Sequence, residues 1–185
     1  MLSTLRQFLD LLLRRAGPSD LPASPRLLAG TFAALLAVQG ALASLLGESP
    51  AGMLPRALVS GALLLGWIWF LTRAYGHPAR FLQTATAFLG VTLLTTPVLI
   101  PLAASVLGAG AGATPPDIKF SLPLLLFVAA AFYLLVIESR ILADAIEQPV
   151  FLCALLVLAG EFLIGAIALL IGLVPPTPGA AAAPA

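Results

Sequence analysis

Glu161 stands inside "LVLAGEFLIGAIALL" (156–170), a run that is otherwise apolar. A carboxyl in such a run either clamps helices together by hydrogen bonding or serves as a proton or substrate site. Projected at about 100° per residue, Glu161 shares a stripe with Ala154, Gly165, Ala168 and Gly172. Small residues mark the places where membrane helices pack closely. Glu161 is therefore expected to face the bundle as part of an intramembrane polar clamp. Its candidate partners are Gln39, the threonines Thr92, Thr95 and Thr96, and a carbonyl freed by Pro97 or Pro101. A second constellation involves Glu138. It falls on the same helix face as Leu142, Ala145 and Ile146, opposite Arg140, Asp144 and Glu147. An acid on a packed face calls for a cation. The expectation is an inner-face ion pair between Glu138 and Arg73 or Arg80.

The remaining reactive side chains do not assemble into an enzyme pattern. His77 is the one histidine, so neither a two-histidine metal site nor a histidine relay can form, and "YGHP" reads as a turn. Cys153, the one cysteine, lies among Leu and Ala and reads as a packing residue. Asp144 and Glu147 are three apart on a helix, but a metal would need at least one further ligand group. There is no P-loop, no glycine-rich dinucleotide turn and no HExxH sequence. The chain is expected to be non-catalytic and to need no cofactor.

Composition sets the surroundings of these residues. The chain has 185 residues, 61% hydrophobic and only 9% charged. A soluble domain carries roughly 25% charged residues, so this chain lacks the polar residues to cover a water-exposed surface. Net charge is +1, which gives no basis for nucleic-acid binding. Five stretches reach the roughly 20 residues a span requires. They are 27–47, 57–75, 81–107, 120–138 and 150–174. The fold class is therefore all-α: a polytopic membrane protein with five transmembrane helices plus an N-terminal amphipathic interfacial helix. Three parts follow: a helix and elbow over 1–25, a membrane domain over 26–174, and a disordered tail over 175–185.

Basic residues in short loops set the orientation. With the N-terminus in the cytoplasm, Arg6, Arg14, Arg15, Arg26, Arg73, Arg80 and Arg140 lie inside, against Arg56 and Lys119 outside. The C-terminus is then outside. Eight arginines against one lysine, with no asparagine, suggest a GC-rich bacterium, and hence its cytoplasmic membrane. In residues 2–15, Leu2, Leu5, Phe8, Leu9, Leu12 and Leu13 share one face, with Arg6, Gln7, Asp10 and Arg14 on the other. Asp10 interrupts the apolar run, so the segment reads as a helix lying on the inner leaflet rather than a signal peptide. Gly17 and Pro18 are expected to end it. Ser24 is a suitable N-cap for the first span, with Pro25 at its first position. Pro97 and Pro101 predict a kink or break in the third span. The fourth is expected to run from Phe120 to Gln148, with its last turns standing in the cytoplasm.

The layout of five spans, with "RAYGHPARFLQTATAFLGVTLLTTPVLIPLA" (73–103) joining a Gly-containing turn to a proline-bearing span, resembles the YIP1 family of small membrane proteins. The acidic motif that family carries before its first span has no close counterpart in "AGPSDLP" (16–22). The resemblance implies a protein that binds other membrane components, and no catalytic residues. Two functions follow. One is a scaffold or interaction partner in the bilayer, with other membrane proteins or itself as partner. The other is a small oligomeric transporter or channel subunit using Glu161. Reporter fusions test the layout that both share. Fusions at residues 1, 78 and 145 are expected to read cytoplasmic, and those at 50, 112 and 185 outside. A cytoplasmic signal at 185 would mean the spans are miscounted.

Overall fold

The computed structural model describes residues 2–47, 49–107 and 121–171. The 108–117 loop, Lys119, Gly172 and the 175–185 tail lie outside the described residues. Among the described residues the chain forms six α-helices and no strand: α1 (Leu2–Leu12), α2 (Pro25–Leu45), α3 (Pro50–Ala74), α4 (Phe81–Leu107), α5 (Leu122–Ile146) and α6 (Val150–Leu170). All but α1 are long and apolar enough to cross a membrane, and large apolar side chains such as Phe132, Phe151 and Phe162 stand exposed on them. This is an all-α, multi-pass membrane protein.

The helix boundaries follow local rules. Ser24 accepts from the Leu27 N–H at 3.4 Å, with Pro25 at the first helical position, as its sequence predicts. At the end of α3, Gly76 takes φ +83°. The Gly76 N–H then reaches the Arg73 carbonyl (3.1 Å) and the His77 N–H the Thr72 carbonyl (2.8 Å), closing orphan carbonyls in a Schellman motif. The same motif ends α1, four residues before the expected Gly17–Pro18 stop. There Arg14 holds the left-handed position at φ 61°, and the Arg15 N–H reaches Asp10 O at 2.7 Å. Pattern reasoning misses this because arginine is a poor candidate for that conformation.

The core sits at the end of the bundle that carries α1, the 73–80 turn and the α5–α6 turn, here called the charged end. Residues 84–91 of α4 are buried on every side, which makes α4 the central helix. Its small Thr, Ala and Gly residues let neighbours approach. The buried hydroxyls of Thr84 and Thr86 donate to their own helix, at Arg80 O (2.8 Å) and Leu82 O (2.7 Å). One expectation for this region changes. Helix α4 runs unbroken through Pro97 and Pro101. At the charged end of α5 the expected division of faces holds: Glu138, Leu142, Ala145 and Ile146 are buried, together with Ile137, Ser139, Ile141 and Ala143, where α4, α6 and the elbow pack on the helix. Only Arg140 and Asp144 of that stretch are exposed.

Helix α1 is not simply laid on the bundle. Its wheel divides into three sectors. Phe8 and Leu11 are buried in the core, Leu5, Leu9 and Leu13 are exposed, and Arg6 and Arg14 are exposed on the polar side. Tyr133 of α5 donates to the Leu12 carbonyl at 2.8 Å, fixing its last turn. Phe8 lies on Gly90 so closely that a Cβ there would stand 2.4 Å from its ring. Replacing Gly90 with valine is therefore expected to unseat α1 and cost about 1–3 kcal/mol, read as thermal stability in detergent with protease protection of residues 1–17. Phe8→Ala should offset part of that cost in the double variant. Strictly additive effects would show that Phe8 does not seat on Gly90.

Candidate functional site

Arg80 builds the charged end. It is the last residue of the Pro78–Arg80 3-10 turn that launches α4. One guanidinium nitrogen donates to the carbonyls of Asp144 (3.0 Å) and Ala145 (3.3 Å), and the other to Glu147 Oε1 at 2.6 Å. Those carbonyls belong to the last turn of α5, which has no intrahelical donors for them, and a cation at that pole also meets the helix dipole favourably. Glu147 holds the left-handed C-cap position (φ 56°), which turns its carboxylate back to Arg80, with His77 Nε2 4.0 Å away. The hydrogen bond and charge of Arg80, with the charge of His77 behind them, hold the Glu147 carboxyl below its ordinary value of 4.5.

Gln83 anchors the elbow to the same turn by donating to Leu21 O (2.8 Å) and Ser19 O (3.3 Å). The elbow closes on itself through the Gly17 N–H and Asp20 Oδ2 at 2.8 Å. Together these segments enclose a cleft of about 590 Å³ lined by Ser19, Arg80, Gln83, Asp144, Glu147 and Gln148. A smaller hollow of about 250 Å³ opens on the other side of the elbow, with Arg14, Arg15, Asp20, Arg140 and Asp144 in its wall. The cleft can take a charged or amide-bearing segment. Its side chains present no nucleophile–base pair.

The expected ion pair of Glu138 is not formed. Arg80 is engaged as above. Arg73 is exposed and lies over the Trp69 ring, 5.4 Å from its centroid. Glu138 is 8% exposed. It lies eight residues inside the end of α5, about 12 Å along the helix axis, deeper than either arginine. Among the described residues it has neither a hydrogen-bond partner nor a cation. Instead it lines a groove of about 580 Å³ between α4, α5 and α6 that also contains Glu161.

The orientation of Glu161 also differs from the expected one. The buried side of α6 is Cys153, Val157, Gly160, Ile164 and Ala168, and Glu161 lies about 60° round from its centre, at the flank. At Gly165, placed on the packing stripe by its sequence, a Cβ would meet nothing within 4 Å outside its own helix backbone. Close packing centres on Gly160, where a Cβ would stand 2.5 Å from Trp67 Nε1, and Trp67 donates to Leu156 O at 3.1 Å. Glu161 does share a cavity of about 130 Å³ with Gln39 and Ser60, so the structure brings Gln39 near it without a hydrogen bond between them. The threonines play another part. Thr92 donates to Phe88 O, Thr95 to Val91 O and Thr96 to Thr92 O, at 2.7–2.9 Å. They satisfy themselves on α4 and reach neither Glu161 nor the carbonyls freed by the prolines.

Gln83, Tyr133 and Trp67 escaped the sequence reading. Each is a polar tip on an apolar segment, which was the one available signal. The chain matches no protein-family model, no curated protein and no solved structure.

The Glu147 carboxylate, with its lowered pKa, contributes stability that is fully present above pH 4.5 and fades as the pH falls through its lowered value. Comparing Glu147→Gln with wild type by thermal unfolding should show a destabilised variant at about pH 7 and a difference that narrows as the pH is taken below the ordinary carboxyl value of 4.5. No difference at any pH would mean that the α5 carbonyls, not the carboxylate, carry the interaction.

Proposed function

We propose that this chain is a non-catalytic interaction protein of the bacterial cytoplasmic membrane, a scaffold or partner for other membrane components. Its N-terminus and charged end face the cytoplasm, with its C-terminus outside. The observation that carries this reading is the charged cleft: three chain segments, the elbow, the start of α4 and the end of α5 with its turn, are tied together around it by Arg80 and Gln83. A surface held in one shape in this way binds without first paying an ordering cost. The arginine asymmetry supports the orientation. The YIP1-like layout supports the role, since that family acts by binding other membrane components.

A second reading, a small oligomeric transporter or channel subunit, is favoured by one observation. Glu161 stands between the Gln39 cavity and the Glu138 groove. A photo-crosslinking residue at Ser19, on the cleft wall, separates the two. Discrete protein adducts are expected from Ser19 in cells and not from Phe162, which is 81% exposed on the apolar surface. Equal labelling from both, or Glu161-dependent proton flux in liposomes holding the chain alone, would give the second reading the lead.

A further inference from the structure

The groove between α4, α5 and α6 combines an open apolar wall with two unpartnered acids, Glu138 buried and Glu161 exposed at the flank of α6. Leu99, Ile100, Phe127, Phe132, Val157 and Leu158 supply the wall. Glu138 is more than nine-tenths buried, lines the groove and has no donor or cation among the described residues. Glu161 lines the same groove from the facing helix. Counted from the charged end, Glu138 is eight residues deep on α5 and Glu161 eleven on α6, so about 12 and 17 Å. The two carboxyls therefore lie within about 5 Å of each other in depth; Arg140, two residues nearer the charged end, is exposed on the opposite face of α5, and no basic side chain lines the groove.

Geometry and charge together select the occupant. A bare metal ion is excluded by the wall, since hard cations take about six or more oxygen ligands and the groove offers two carboxylates and hydrocarbon. An anion is repelled. The volume, about 580 Å³, falls within the roughly 300–1,000 Å³ of sites for drug-sized molecules. Phe127 and Phe132 offer aromatic faces, which attract organic cations at close range. Phe132 is 67% exposed, so it stands at the mouth, where a molecule dissolved in the bilayer arrives. We propose that this groove binds a lipophilic organic cation taken from the bilayer, its charge held between Glu138 and Glu161 and its body against Phe127, Phe132 and Leu158. This goes beyond the interaction role, which concerns the charged end.

The test uses the full chain purified in an uncharged detergent. Equilibrium dialysis compares tetraphenylphosphonium with tetraphenylborate, an anion of the same shape. Saturable binding of the cation alone is expected. Glu138→Gln and Glu161→Gln should each weaken it by about tenfold or more, and the double variant should abolish it. Phe132→Ala, at an exposed position that leaves both acids in place, should weaken it severalfold and guards against a folding artefact in the acid variants. Equal binding of cation and anion would overturn the proposal, as would cation binding unchanged in the folded double variant. A disulfide-linked dimer of Phe132→Cys, with no cation bound by the wild type, would also overturn it and assign the groove to a second copy of the chain.

Discussion

Arg80 is the residue on which the arrangement of the charged end depends. Its guanidinium joins the start of α4 to the end of α5, using carbonyls that the helix itself leaves unsatisfied. The turn it fixes leads directly into α6, so the rotation of α6, and with it the position of Glu161, is inherited from this junction. The fork geometry matters. One nitrogen addresses two carbonyls while the other holds Glu147, an arrangement a lysine ammonium lacks the shape to reproduce. Gln83, about one turn further along α4, extends the same logic to the elbow.

Elsewhere the chain keeps its polar groups local. Thr84, Thr86, Thr92, Thr95 and Thr96 all donate to carbonyls within their own helix. In an apolar medium this is the cheapest way to satisfy a hydroxyl, because no second helix has to be held in register. Those threonines consequently act as small packing residues that keep α4 slim. The cross-helix polar contacts that do form are few and directional: Tyr133 to Leu12, and Trp67 to Leu156. Each has an aromatic body that fills space and a polar tip that reaches a carbonyl.

The sequence made the spans legible because length and hydropathy are summed over some twenty residues and tolerate local error. The caps at Ser24 and Gly76 were legible because each has one chemical signature. Rotational phase was another matter. When nearly every residue of a helix is apolar, as in α6, no polar stripe marks the side away from the protein. The small-residue stripe then points to Glu161, whereas packing centres on Gly160. A matching blindness to depth suggested a partner for Glu138 that the fold does not provide. Arg73 and Arg80 are close to it in the chain's layout but not in depth, and the α5 carboxy terminus competes for Arg80 with three acceptors at once. An acid eight residues inside a helix does not pair with a base in the neighbouring loop when the helix end offers the base more.

Glu138 and Glu161 then stand out against the economy of the rest. The buried threonine and serine hydroxyls of α4 and α5 find partners on their own chain within four residues. An ionised side chain at the centre of a span costs about 2.5–3.5 kcal/mol on insertion scales, and two on one groove repel each other besides. Leucine or methionine at either position would pack the groove more favourably than a carboxyl does. Neither acid is held by a cation of the fold, so stability gives no reason for either. Their convergence on one membrane-open groove, with an aromatic residue at its mouth, gives a reason of another kind: the missing counter-charge comes from outside the chain.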